Sequence, residues 1–348
     1  MFRKTALLGA AAAFAFIPAW SQAQAAPSIL FIGNSFTYAA HSAVKFYHPE
    51  TVHDLNAPDN RGQTIGGVPA LFKAFTKEAG LDYDVSLETI GGVGFDAHLA
   101  RKRTEIDKPW DIVVGHGFST LDGDHPGNPA LLISTTKELS DLLAAKNPQV
   151  KFYLLATWSR ADMTYPRPAG GRGGAPDGAA PAGRRDPPAA IAGAQAAPAA
   201  NAGAPAAPRV AEPSPWLGKP IQQMGKDIEV AYEQAARGAP HVAGIIPMGL
   251  AWNNAIDTGV ADNNPYDDLG ASKMNLWAYD SYHASSYGYY LEALLDFGKV
   301  TGRDPMSLAA IDNVAEDLGI SRAQAGALQK VAHDALTAQG MVFVAAPK

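Results

Sequence analysis

The apolar positions of this chain come in two rhythms that alternate along it. Short unbroken runs are followed by stretches in which apolar residues recur every three or four positions. Ser28–Ile29–Leu30–Phe31–Ile32 opens the series, and its lack of polar alternation predicts a strand buried on both faces. Val68 to Ala79 has helical spacing at Leu71, Phe72 and Phe75, with Pro69 in its first turn and Gly80 ending it. Tyr83 to Ile90 predicts a second strand, and Asp96, as N-cap, a helix reaching Glu105. Asp111 to Val114 predicts a third strand, Ala130 to Lys146 an amphipathic helix, and Val150 to Ala156 a fourth strand. Ile221 to Ala236 predicts a helix with Ile221, Met224, Ile228 and Val230–Ala231 apolar, and His241 to Met248 a fifth strand. A helix opens at Leu250, and another follows Gly288 with Tyr290, Leu291, Leu294 and Leu295 on one side. Two more helices are predicted near the C-terminus, Ser307 to Leu318 and, capped by Ser321, up to Ala338.

Strand–helix order repeated five times implies an α/β fold: one parallel sheet with helices on both faces. The five strands are too few for a (β/α)8 barrel. Phe36 to Gly62, which holds His41, His48 and His53, is expected to be an irregular solvated loop, since these histidines match no compact ligand spacing. Asp122–Gly123–Asp124 has no later ligands at calcium-loop spacing and reads as a turn.

Composition changes this picture at two places. Arg3 and Lys4 precede an apolar, alanine-rich stretch from Ala6 to Trp20, and Ala23–Gln24–Ala25 fits a small-x-small cleavage pattern. Residues 1–25 are therefore expected to be a signal peptide, with the mature chain exported to the periplasm or secreted and without a membrane span. The run from Pro166 to Pro215 contains 18 Ala, 11 Pro and 8 Gly and no aromatic residue. It is expected to be a disordered insertion, because it has too little apolar side chain to offset its ordering entropy. A single domain is then expected over 26–165 and 216–348. The net charge of −6 points away from nucleic acid as a partner. The absence of cysteine excludes disulfides, a thiol nucleophile and any cysteine-based metal site.

The candidate chemistry lies where the strands end. The first strand runs into Gly33–Asn34–Ser35, the second into Gly91–Gly92–Val93–Gly94, and the third into Gly115–His116–Gly117. Asp280 and His283 lie in a late loop, three apart. In a doubly wound sheet such ends converge on one edge. A serine nucleophile needs a base in hydrogen-bond reach, and the base needs an orienting carboxylate. Ser35, His283 and Asp280 supply these in the chain order Ser, Asp, His. The absence of G-x-S-x-G excludes the α/β-hydrolase elbow, and the missing third glycine excludes a dinucleotide fingerprint.

With Ile32–Gly33–Asn34–Ser35–Phe36–Thr37 near its start and Asp280-x-x-His283 before a late helix, the chain resembles the SGNH (GDSL-like) hydrolases from about Ser28 to Lys299, apart from the insertion. That resemblance implies a three-layer flavodoxin-like sandwich with a five-stranded parallel sheet. It implies Ser35 as nucleophile, His283 as base and Asp280 as its orienter. It also implies an oxyanion hole from the N–H groups of Ser35 and of Gly92 or Gly94. The family's third block usually supplies an Asn, in some branches a Gln, as a further donor; here His116 stands in that place. Trp158, Arg160, Trp252 and Asn253 follow the fourth and fifth strands and are candidates to line a substrate pocket. The expected activity is a serine esterase acting on an acylated carbohydrate or a short-chain ester, with no metal and no cofactor. The alternative is a catalytically silent SGNH-like glycan-binding protein, motivated by the altered third block.

Overall fold

A computed structural model describes residues 25–56, 62–166 and 212–344. The predicted leader up to residue 24 and the alanine- and proline-rich run over 167–211 lie outside the described residues.

Among the described residues six parallel strands form one sheet: β1 (Ser28–Gly33), β2 (His53–Asp54), β3 (Asp84–Thr89), β4 (Ile112–Gly115), β5 (Lys151–Leu155) and β6 (Val242–Ile246). Their order across the sheet is β2-β3-β1-β4-β5-β6. The sixth strand is a correction to the five expected. β2 is a two-residue edge strand inside the segment read as an irregular loop, pairing His53 with Ser86 and Asp54 with Leu87. No apolar run announces it. The Asp54 carboxylate holds it by accepting from the backbone N–H groups of Asn56 (2.9 Å) and Ile65 (3.0 Å).

The helices are α1 (Gly67–Glu78), α2 (Phe95–Arg101), α3 (Arg103–Ile106), α4 (Ala130–Lys146), α5 (Ala161–Thr164), α6 (Ile221–Arg237), α7 (Met248–Asp257), α8 (Ser286–Thr301), α9 (Asn313–Asp317) and α10 (Arg322–Ala338). Side chains alternate along β1. Ile29 and Phe31 enter the core shared with α1, α7, α8 and α10, whereas Leu30 and Ile32 enter the one shared with α2, α4 and α6. Burial on both faces is why this strand reads as an unbroken apolar run.

Two predicted helices are each divided in two. α2 starts after Gly94, with Asp96 inside its first turn, and ends where Lys102 leaves helical dihedrals (φ −127°, ψ 23°). The stretch predicted as Ser307–Leu318 is a 3-10 turn over Pro305–Ala310 followed by α9. Asp304 caps the first at Met306 N and Asp312 caps the second at Ala315 N, so each aspartate starts its own short helix. Ser321 caps α10 in a full capping box with Gln324, as its position suggests.

Strand order reverses around β1, whose neighbours β3 and β4 leave in opposite directions. Open α/β sheets hold ligands at the carboxyl ends of the strands beside such a switch point.

Candidate functional site

The chain leaves β1 through a tight turn. Tyr38 N–H donates to Asn34 O (3.1 Å), and Ala40 N–H donates to Ser35 O (2.9 Å), so the backbone winds up just after Ser35. The Asn34 side chain accepts from Phe36 N (3.1 Å) and donates to Val93 O (2.9 Å). It thereby ties the Ser35 turn to the glycine loop after β3, which is also held by Ile90 N–H to Gly33 O (3.0 Å). Gly33 is required by close approach: a Cβ there would stand 2.0 Å from Thr37 Oγ1 and 2.6 Å from His116 Nε2.

A cleft of about 320 Å³ opens above this turn, lined by Ser35, Tyr38, Ala40, His41, Gly91, Gly92 and His283. Gly92 has a left-handed φ of +69°, the conformation that favours glycine. It lines the cleft; Gly94 instead caps α2, and a Cβ on it would stand 3.0 Å from Phe118 N.

His283 reaches the cleft from the far side. Its Nδ1 lies 2.6 Å from Asp280 Oδ2. A carboxylate only accepts, so Nδ1 carries the proton and neutral His283 presents a lone pair at Nε2. Asp280 Oδ1 accepts from the backbone N–H groups of Tyr282 (3.1 Å) and His283 (3.0 Å). Ser281, at φ +60°, lets the chain fold back so that one carboxylate serves both. Burial pushes the Asp280 carboxyl up, but the hydrogen bonds and charge of His283, with the two backbone donors, outweigh it and hold its pKa below the usual carboxylate value. His283 Nε2 is buried and has no hydrogen-bond partner. The contact with Ser35 Oγ is therefore open, and in unliganded sites such contacts commonly close only around substrate.

His116 takes a different place from the one its position in the sequence suggests. It is buried under the turn, with Nε2 2.9 Å from Thr37 Oγ1 and Nδ1 2.9 Å from Gly117 O. Since Gly117 O only accepts, Nδ1 donates there, and Nε2 accepts from the Thr37 hydroxyl. Burial lowers its pKa from 6.5 to about 4, so the ring is neutral and neither nitrogen faces the cleft with an N–H.

The four residues expected to line a pocket are absent from this cleft; they are buried and support it. Phe36 stacks on Trp158 (centroids 3.9 Å, 16° between planes), Trp158 on Trp252 (5.2 Å, 8°), and Trp252 meets Trp277 edge-on (5.1 Å, 61°). Trp158 Nε1–H donates to Tyr282 O (3.1 Å), the carbonyl just before His283. Arg160 is paired with both oxygens of Asp162, donates to Ser119 Oγ (2.9 Å) and lies 3.6 Å over the Tyr282 ring. Asn253 donates to Gln222 O (3.0 Å).

The histidines of the early loop disperse. His53 pairs with Asp84 and His48 with Glu50, whereas His41 comes to the site. His41 Nε2 lies 3.6 Å from Asp280 Oδ2, and its ring sits 4.8 Å from that of His283. Pattern reading missed it, because it arrives through left-handed turns at Ala39 (φ 58°) and His41 (φ 62°), conformations that ordinary side chains rarely adopt. His41, Asp280 and His283 are the one group of metal-ligand side chains among the described residues, with ligand atoms within 4.8 Å of one another. Asp280 and His283 already engage each other through those atoms, and a cation would have to displace that bond.

No protein-family model matches the sequence, and no curated protein matches it either. Solved structures do. One described as a GDSL-like lipase from Parabacteroides merdae is 15% identical over 79% of this chain and 95% of its own, with a TM-score of 0.42. An extracellular lipase from Streptomyces rimosus is 12% identical, covering 78% and 99%, with a TM-score of 0.40. A variant of an acetyl-xylooligosaccharide esterase from Geobacillus is 16% identical, covering 79% and 94%, with a TM-score of 0.41. Likenesses this distant decide nothing about the chemistry, which rests on the side chains of this chain. The chain is similar to SGNH (GDSL-like) hydrolases in the order of its Gly–Asn–Ser and Asp-x-x-His blocks.

Proposed function

We propose that this protein is an exported serine hydrolase acting on ester bonds. The observation that carries the reading is the Asp280–His283 pair. A 2.6 Å bond fixes the tautomer of a histidine whose other nitrogen is buried, unpartnered and part of the same cleft as Ser35. Ser35 attacks the acyl carbonyl, and His283 Nε2 takes its proton. The tetrahedral intermediate places its oxyanion toward the backbone N–H groups of Ser35 and Gly92, the glycine that lines the cleft. His283 then returns the proton to the departing alcohol, and water repeats the sequence on the acyl-enzyme. Asp280 holds the imidazole in register and stabilises its charged form. His116 props the Ser35 turn through Thr37 instead of contacting the oxyanion. The substrate is an acylated carbohydrate or another short-chain ester.

Labelling with a fluorophosphonate probe tests the mechanism together with turnover of p-nitrophenyl acetate. Wild type should be labelled, while Ser35→Ala should lose the label and at least about 10³-fold in rate with its circular dichroism unchanged. Unchanged turnover in Ser35→Ala ends the mechanism. A wild type that neither labels nor turns over would favour the silent glycan-binding alternative.

A further inference from the structure

Tyr279 stands out at the mouth of the cleft. It is 78% exposed, although it immediately precedes the half-buried Asp280. Its hydroxyl is tethered 2.6 Å from His41 Nδ1, and the two rings meet edge-on with centroids 5.1 Å apart. His41 in turn lines the cleft and lies against His283. An aromatic ring fixed at its polar end, with its face left to solvent, is a preorganised stacking surface: little further ordering is required when a ligand covers it.

The cleft beneath is small and has no long aliphatic side chain. Beyond the triad residues and His41 its lining is Tyr38, Ala40, Gly91 and Gly92. A Cβ at residue 91 would stand 2.9 Å from the Tyr38 hydroxyl, so even the glycine wall is closely backed. Such a pocket holds an acetyl-sized group but gives a fatty chain no apolar groove to bury itself in.

From these two observations we infer that the alcohol side of the ester is a sugar, whose ring stacks on Tyr279 beside His41 while a short acyl group enters the cleft. The apolar C–H face of a pyranose covers the Tyr279 ring, and its hydroxyls remain at the wet, polar rim formed by His41. This inference rests on the hydrolase reading for which side of the cleft is which, and it adds Tyr279 and His41 as specificity-determining residues.

The test compares an acetylated xylotetraose with ethyl acetate, which has no ring to stack, in wild type, Tyr279→Ala and Tyr279→Trp. Tyr279→Ala should lose about five- to tenfold more kcat/KM on the sugar ester than on ethyl acetate, chiefly through KM, and Tyr279→Trp should restore the difference. Wild type should also prefer p-nitrophenyl acetate to p-nitrophenyl octanoate. Calorimetric titration of Ser35→Ala with the same sugar ester reads binding without turnover, and adding Tyr279→Ala should weaken it by the same factor. Equal losses on both esters, no rescue by tryptophan, or faster octanoate turnover overturns the inference. If wild type hydrolyses no ester, the hydrolase reading fails by itself. The titration still decides the subsite: sugar affinity that depends on Tyr279 upholds it, and its absence ends it.

Discussion

Burial keeps His116 neutral, with a pKa near 4, and this has a consequence for stability. In the unfolded chain the ring protonates near 6.5, well before the folded one does. Between these values the unfolded state binds more protons. The contribution is fully present above pH 6.5 and is lost as pH falls through the interval to about 4, amounting to about 3 kcal/mol at most. The buried carboxyls Glu292 and Asp296, pushed up by desolvation, act in the opposite sense, so a difference between variants isolates the histidine. His116→Gln keeps a side chain able to bond Thr37 but has no proton to gain. Urea unfolding from pH 4 to 7.5 should show a flatter acid limb for His116→Gln than for wild type. The kcat of His116→Leu, a side chain of similar bulk with no donor, should fall less than tenfold, whereas losing an oxyanion donor costs about 10²–10³-fold. A kcat loss of that larger size in His116→Leu, with the rate largely kept in His116→Gln and its acid limb unchanged, would return His116 to the oxyanion hole. The sequence marks His116 as chemically placed, but not which way it faces. That depends on Thr37, one turn along a neighbouring strand's loop, and on the missing Cβ of Gly33.

Among the elements, those with strong periodicity or a double-sided apolar run are legible in the sequence. β1 and α4 fall where the pattern puts them, because one is buried on both faces and the other repeats Leu132, Leu139 and Leu143 along one buried face. β2 and the break that separates α9 from the 3-10 turn before it are not legible: Asp54 holds the one and Asp312 caps the other through nearby backbone N–H groups, local choices with no apolar signature. The aromatic stack is an intermediate case. Trp158 and Trp252 stand out in the sequence, and only packing reveals that they serve the site from behind. Trp158 touches the site twice, stacking on Phe36 beside Ser35 and bonding Tyr282 O beside His283. Trp158→Phe should preserve most of the stack and lose the hydrogen bond. We expect a stability loss of about 1–3 kcal/mol and a disproportionate fall in kcat over KM, as the base loosens from the nucleophile. Esterase kinetics alongside thermal unfolding check this. A fall in stability with kcat unchanged would show that the stack is packing alone.

At the scale of the whole molecule, the strand-end argument works because parallel order forces it. Ser35, Gly92 and His283 are far apart in sequence and share one cleft, since β1 lies at the switch point between β3 and β4. The same sheet accounts for how a long run can be accommodated between β5 and α6. On either side of residues 167–211 the chain is stitched to itself. Ser214 Oγ donates to Met163 O (2.7 Å), and Gly218 N–H donates to Thr164 O (2.8 Å). Trp216 is buried against the α4 and α6 side, with its Nε1–H on Asp227 (2.9 Å). The ends are thus fixed by the domain's own bonds, and a shorter connection between them closes with less entropy, not more. Replacing 167–211 by a short Gly/Ser linker should therefore leave the melting temperature within about 3 °C of wild type and kcat/KM on p-nitrophenyl acetate within about twofold. A larger drop in melting temperature would mean that the run contributes apolar burial its composition does not promise. A selective loss on the sugar ester, with the melting temperature kept, would instead place the run beside Tyr279 as part of the substrate surface.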